Sequence, residues 1–570
     1  MDYMTEYKRW KENVADPILK KELEEISDKP EEIKERFAIS LTFGTAGLRG
    51  ILGAGTNMMN IYTVSRTTQG LSNYLLSKQE KASVAIAYDS RNMSKEFAEY
   101  SACVLAANGI KAHIYKVLMP TPMLSFAVRE LKCDAGIMIT ASHNPAAYNG
   151  YKAYGPDGCQ MNEEDSENVL KFINELDVLT GAKKADFDDA VEKGLIEYIG
   201  DDVIEKYYDA VKEQQILPGI CKENPIKVVF SPLHGTGNIP VRRILKDIGL
   251  DDVTVVKEQE NPDGNFPTAP YPNPETADAL KLGLEVAKKI GADIFIATDP
   301  DADRVGTAVK DGENYLILNG NQIGILLFNY ISTVRNQLKN MPDRALAVRS
   351  VVSTPMVDKI AKDTGVEMVS VLTGFKNIGE KILRLEEKGE EKRFIFGFEE
   401  SCGYLAGSYV RDKDAVLACM LICEMACYYK SIGISVVELM NNLYEKYGYF
   451  LNNVVNLEFP GLEGADKMKA IMQSHRESPL KEIGGQKVER YSDYLGGKSV
   501  CVDTGEESEI DLPKSDIVSY NLEGGAEVIV RPSGTEPKMK VYITVCEENY
   551  TDSADRLEVL ISEAKQFDKV

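Results

Sequence analysis

Three times along this chain of 570 residues the same alternation recurs, and it constrains the fold more than any single residue does. The apolar run SVAIAYD (83–89) leads into a helical stretch, SKEFAEYSACVLAANG, then IKAHIY, then a helical stretch around TPMLSFAVREL, then the apolar run AGIMIT (135–140). In the second copy IKVVFSP (226–232) is followed by NIPVRRILKDIG, VTVV, ETADALKLGLEVAKKIG and ADIFIAT (292–298). The third runs from ALAVRS (345–350) through TPMVDKIAKDTG, EMVSV and NIGEKILRLEEKG to RFIFGF (393–398). Each copy reads β-α-β-α-β: short apolar runs bounded by Gly, Pro and Ser, separated by stretches of helical period. Such alternation predicts α/β domains with mixed, mainly parallel sheets covered by helices. Open sheets of this kind bind ligands at the carboxyl ends of their strands. Chemistry is therefore expected in the segments that follow the last run of each copy: TASHNP (140–145), DPDADR (299–304) and GFEES (397–401).

The tail breaks the pattern. From about Tyr449 the chain reads VVNLEF, a helix near GADKMKAIMQSHR, two apolar runs flanking a Gly-Thr turn in AEVIVRPSGTEPKMKVYITV, and a last helix, SADRLEVLISEAKQF. That mixture predicts a small α+β domain. A chain of this length is too long for one core, and four domains are expected: 1–204 with N-terminal helices packed on it, 205–318, 319–448 and 449–570.

A formal net charge of −23 argues against nucleic acid or an acidic membrane as partner, because phosphate backbones repel such a surface. No apolar run approaches membrane-spanning length, and MDYMTEYKRWKENVADP has no apolar core for a signal peptide. A cytoplasmic protein is expected. Of the ten cysteines, Cys419, Cys423 and Cys427 recur at helical spacing in apolar surroundings, which reads as core packing.

Within the segments, Ser142 follows an apolar strand in a turn enforced by Asn144 and Pro145, with His143 beside it. Asp299, Asp301 and Asp303 crowd one loop, where carboxylates repel unless a cation neutralises them, and hard oxygen ligands suit Mg²⁺. A calcium loop is excluded, because its glycine and glutamate positions hold Arg304 and Lys310. Glu399, Glu400 and Ser401 are suited to sugar hydroxyls. In RPSGTEPK (531–538), Arg531, Ser533, Gly534, Thr535 and Lys538 suit an oxyanion: small residues admit backbone N–H groups, and arginine binds phosphate as a fork. FGTAGLRG (43–50), ending in Arg49 and Gly50, is weak evidence by itself.

Together these motifs resemble the α-D-phosphohexomutase superfamily over nearly the full length, closest to the branch of phosphoglucomutase-2 and phosphopentomutase. The resemblance implies three related α/β domains and a C-terminal α+β domain around a central cleft, and a reaction that moves a phosphoryl group through a phosphoserine. It implies that Ser142 carries the phosphoryl group and that Asp299, Asp301 and Asp303, with the Ser142 phosphate, bind Mg²⁺. Lys152 and Arg49 match active-site cations. Thr373, Gly374, Lys376, Glu399 and Ser401 match substrate loops, and Arg304 is counted with them. Lys413, Arg531, Ser533, Gly534, Thr535 and Lys538 match phosphate contacts. Lys152 and His143 both stand as candidate bases. The expected reaction interconverts glucose 1-phosphate and glucose 6-phosphate, activated by glucose 1,6-bisphosphate, in a monomer or small homo-oligomer. Pentose or mannose phosphates, synthesis of glucose 1,6-bisphosphate and a non-catalytic sugar-phosphate sensor are the alternatives. A phosphatase with Asp299 as nucleophile is disfavoured, because Asp303 stands where its loop has Thr or Val.

Overall fold

A computed structural model describes residues 2–44, 47–459, 464–533 and 538–569. It divides into two compact units: Met1–Asn319, Gly379–Phe394 and Ser401–Ser431 form the first, and Gly320–Ile378, Ile395–Glu400 and Ile432–Val570 the second.

The first unit holds two sheets. One has the strand order Gly47–Ile51, Tyr148–Tyr154, Ala135–Ile139, Ser83–Tyr88, Lys111–Ile114, Ile196–Tyr198. The other has the order Asn314–Leu318, Val305–Asp311, Ile294–Thr298, Val228–Ser231, Val253–Val255. In both, the first strand of the repeat lies between the second and the third and runs parallel to them, as in Val84 opposite Ala135 and Val228 opposite Ile294. The second unit repeats this order with Glu367–Val371, Leu346–Ser350 and Phe394–Glu399. The last strands of all three copies are buried at every position. Burial on both faces is what a helix-covered parallel sheet demands of its centre, and it is why these runs are continuously apolar instead of alternating.

The sheets are more mixed than the repeat alone predicts. Tyr148–Tyr154 and Gly47–Ile51 extend the first antiparallel, and Val305–Asp311 and Asn314–Leu318 do the same for the second. Three short helices, Tyr3–Asn13, Pro17–Glu25 and Pro30–Phe37, pack around the fully buried Trp10 with Tyr7, Leu23, Phe37 and Ala54. Asp16 caps the second by accepting from the N–H groups of Ile18 and Leu19, with Pro17 at its first turn, the usual chemistry of a helix start.

The tail is an antiparallel sheet. Tyr449–Glu458 pairs with Lys538–Glu547, which pairs with Glu527–Pro532 and so on to Val518–Leu522, Gln486–Asp493 and Lys498–Cys501. Helices Gly464–Glu477 and Tyr550–Ala564 cover it. Within the second unit an apolar wedge of Val351, Val352, Leu372, Ile517, Ile529 and Tyr542 joins this sheet to the third repeat. Cys419, Cys423 and Cys427 are buried along the helix Ala415–Ser431. No single helix among the described residues is long and apolar enough to cross a membrane.

Candidate active site

The carboxyl ends of the two sheets in the first unit meet at Ser142 and Asp299. Ser142 follows the strand Ala135–Ile139 and is 3% exposed. Its backbone is left-handed, φ 51°, a conformation that costs a non-glycine residue roughly 1–2 kcal/mol, and its N–H is held by the Thr140 hydroxyl at 2.8 Å. The Ser142 hydroxyl donates to Asp299 Oδ2 at 2.9 Å and lies 3.1 Å from His143 Nδ1. The neighbouring strand Tyr148–Tyr154 delivers Lys152, whose Nζ is 2.9 Å from Asp301 and 3.5 Å from Asp303. From the strand Gly47–Ile51, Arg49 donates to the Asn144 side chain at 3.1 Å.

Asp299, Asp301 and Asp303 are all buried, and each offers one oxygen within 4.8 Å of the others. At about 4 Å, two like charges repel by on the order of 4 kcal/mol at an effective dielectric constant near 20. Three such pairs approach the whole stability of a domain, roughly 5–15 kcal/mol, so the cluster must be neutralised. Lys152 supplies one positive charge. Lys413 supplies another, with Nζ 3.1 Å from Asp303 and 3.3 Å from Asp412. Burial and the charges of Asp301 and Asp303 push Asp299 well above the usual carboxylate range. Burial works upward on Asp301 as well, but the Lys152 ammonium and hydrogen bonds, one of them from the Thr121 hydroxyl at 2.9 Å, hold it below that range. The Oδ1 atoms of Asp301 and Asp303 are buried and have no hydrogen-bond partner among the described residues. An all-oxygen set with unused buried lone pairs and an excess of negative charge fits Mg²⁺.

Burial, then Arg304 and Arg49, hold His143 well below the ordinary histidine value, so its imidazole is neutral. Burial opposes the charge on Lys152, but Asp301 and Asp303 outweigh it and raise its pKa. Arg304 donates to Glu275 at 2.6 Å.

The remaining expected residues lie mostly in the second unit. Glu399 accepts from the Gly374 N–H at 2.7 Å, where Gly374 has φ 105°. Thr373 and Lys376 flank it at the start of the helix Phe375–Glu386, both half-buried. Ser401 is half-buried in a turn of the first unit. Arg531 stands opposite Lys540 in the sheet, and the Ser533 N–H donates to the Lys538 carbonyl at 2.8 Å. Gly534 and Thr535 lie outside the described residues. Burial pushes the Tyr542 phenol up; Glu400 and Glu399 add to this and Arg531 opposes it, so one buried tyrosine senses both of these glutamates and Arg531.

Thr121, Arg91 and Asp412 belong to the site and carry no motif of their own. Thr121 begins a helix of the first repeat yet bonds Asp301 from the second. Asp412 accepts from Tyr154 at 2.7 Å and from the Lys413 N–H at 2.8 Å. The spacing of Lys152 and Tyr154, two apart on one strand and so on one face, is the only signal that could have found the latter.

Residues 40–179, 205–312 and 319–447 match the family models described as phosphoglucomutase/phosphomannomutase alpha/beta/alpha domains I, II and III. A phosphoglucomutase of Staphylococcus saprophyticus is 38% identical over 96% of this chain and 98% of its own length. One from Staphylococcus aureus is 37% identical over 97% and 98%. Among solved structures, the open form of parafusin, a phosphoglucomutase from Paramecium, superposes with a TM-score of 0.66 at 19% identity, covering 93% of this chain and 96% of that one. Three matched α/β/α domains and relatives that span nearly the whole chain show that this protein belongs to the phosphoglucomutase/phosphomannomutase family of the α-D-phosphohexomutase superfamily, as an enzyme of the phosphohexomutase type.

Proposed function

We propose that this enzyme interconverts glucose 1-phosphate and glucose 6-phosphate through a phosphoserine at Ser142 and a bound glucose 1,6-bisphosphate. The observation that carries the reading is the buried Ser142 hydroxyl, hydrogen-bonded to one carboxylate of a clustered triad. The similarity to bacterial phosphoglucomutases supports glucose as the sugar.

Asp299, Asp301 and Asp303, with an oxygen of the phosphate on Ser142, would hold Mg²⁺, which supplies Lewis acidity to the transferring group. Phosphoryl transfer asks for positioning and for neutralisation of charge spread over the phosphoryl oxygens. Lys152 and Arg49 meet that charge from the serine side. Lys152 and His143, whose Nδ1 lies 3.1 Å from the Ser142 hydroxyl, are the two candidate groups for moving protons between the attacking sugar hydroxyl and the Ser142 oxygen that leaves. We assign Arg531, Ser533, Gly534, Thr535 and Lys538 to the phosphate that does not react. Thr373, Gly374, Lys376, Glu399 and Ser401 are assigned to the sugar, with Arg304 and Lys413 as further substrate contacts. Remote binding energy of this kind orients the ring for transfer.

The test is a coupled assay of purified enzyme with glucose 1-phosphate, ribose 1-phosphate and mannose 1-phosphate, each with Mg²⁺ and a trace of the matching bisphosphate. The highest kcat/KM is expected for glucose 1-phosphate, with activity lost on adding EDTA. Ser142→Ala should lower kcat by at least about a thousandfold, as loss of a nucleophile does. Wild-type turnover by Ser142→Ala would overturn the reading, and a higher kcat/KM for ribose 1-phosphate would reassign the sugar.

A further inference from the structure

Arg91 lies in the loop after the first strand of the first repeat and is 3% exposed. Its guanidinium is spent on the backbone of the serine loop. Nη1 donates to the carbonyls of Pro145 and Tyr148, both at 3.0 Å, and Nη2 to those of Ser142, at 2.6 Å, and Asn144. Asp89 is its ionic partner at 3.4 Å, and is fixed in turn by the Arg91 N–H at 2.9 Å and the Ser94 hydroxyl at 2.7 Å. The Phe266 ring covers the guanidinium, 4.9 Å from its carbon to the ring centroid. Phe266 is fully buried, left-handed at φ 46°, and belongs to the segment before the helix Ala277–Ile290 of the second repeat.

Removing an ion pair from water carries a penalty of several kcal/mol per ion, so a buried arginine whose two terminal nitrogens both bond the backbone around one loop is an expensive way to shape that loop. The loop needs it. Ser142 and Asn144 are buried, and buried carbonyls without donors are destabilising. A planar fork can satisfy several at once where a lysine ammonium is a point charge.

We propose that Arg91 is a positioning residue for phosphoryl transfer. By gathering the carbonyls of Ser142, Asn144, Pro145 and Tyr148 it holds Ser142 left-handed with its hydroxyl toward Asp299, and Phe266 seats Arg91 from the second repeat. The other repeats brace the same loop by neutral means: Thr236 donates to the Pro300 carbonyl from its N–H at 2.8 Å and its hydroxyl at 3.0 Å, and Ser350 donates to Glu400 at 3.3 Å. The charged version stands at the nucleophile, where a misplacement of about 1 Å can lower the rate roughly a hundredfold.

The inference rests on Ser142 as the phosphoryl carrier, so Ser142→Ala is measured in parallel. Arg91→Lys, Arg91→Met and Phe266→Leu are compared with wild type for kcat and KM with glucose 1-phosphate. Phosphate on Ser142 after incubation with glucose 1,6-bisphosphate is read by intact mass, and thermal midpoints are recorded. Arg91→Lys is expected to lower kcat about a hundredfold with KM within about threefold, Arg91→Met to lower it further, and both to carry less phosphate. If the Arg91 variants do not fold, Phe266→Leu keeps the test: about a tenfold lower kcat at unchanged KM is expected from a guanidinium that has lost its seat. Wild-type kcat in the folded variants, while Ser142→Ala is inactive, overturns the role of Arg91 and leaves the phosphoserine standing. Activity in Ser142→Ala removes both.

Discussion

Lys152 is the residue on which the charge balance of the site turns. Its ammonium faces two buried carboxylates at 2.9 and 3.5 Å, so Lys152→Met leaves both with less compensation. Breaking a buried pair costs about 3–5 kcal/mol. The metal-free variant should therefore lose about that much stability, and added Mg²⁺ should raise its thermal midpoint more than it raises that of the wild type. A scan of both proteins with EDTA and with Mg²⁺ checks this, and equal Mg²⁺ increments would show that Lys152 does not share the neutralisation. Ser142 and the three aspartates were legible in the sequence because each ends an apolar run, where the physics of open sheets puts ligands. Thr121 and Arg91 were not. Both act through hydrogen bonds to residues distant in sequence, Thr121 on Asp301 and Arg91 on four carbonyls, and no local pattern encodes such contacts.

At the scale of elements, one loop bracing another accounts for a glycine. A Cβ on Gly235 would stand 2.4 Å from Pro300 Cα and 2.6 Å from its carbonyl oxygen. Gly235→Ala must therefore push the aspartate loop away from its brace, with overpacking of this kind costing roughly 1–3 kcal/mol. Titration calorimetry of the folded variant should show Mg²⁺ binding weakened by about tenfold or more, since 1.4 kcal/mol of displaced ligand geometry is a tenfold change. Unchanged affinity would mean that the loop relaxes freely. The nine strands and six helices of the three repeats were readable because buried runs and helical stretches alternate without ambiguity. The strands Gln486–Asp493 and Lys498–Cys501 were not, because QKVERYSD and KSVC have only a few buried positions among charged ones and hold their place through the ladder to their neighbours. Among the antiparallel additions to the first two sheets, Asn314–Leu318 escaped for the same reason: it has a single fully buried residue.

For the whole molecule, acid should act through histidine. Burial, helped by neighbouring cations, holds His113, His143 and His475 below the ordinary value, His475 at about 4. A neutral imidazole favoured by the folded state contributes stability that is complete above the unfolded pKa near 6.5 and is lost as pH falls toward the folded value. His475, fully buried and bonded through Nδ1 to Tyr520 at 2.9 Å, should account for about 2–3 kcal/mol between pH 7 and pH 4.5, at 1.36 kcal/mol per unit. Urea midpoints at the two pH values, compared between wild type and His475→Leu, isolate this share; an identical pH loss in both would remove it. The apolar wedge formed by Val351, Val352, Leu372, Ile517, Ile529 and Tyr542 gives the second unit a different property. Protein interiors pack like solids and yield little, so the gap from the glutamates that follow Phe398 to Arg531 is gauged by the packing of this wedge. Trimming or thickening that shim at its aliphatic members would resize a pair of callipers while leaving both of its jaws chemically untouched.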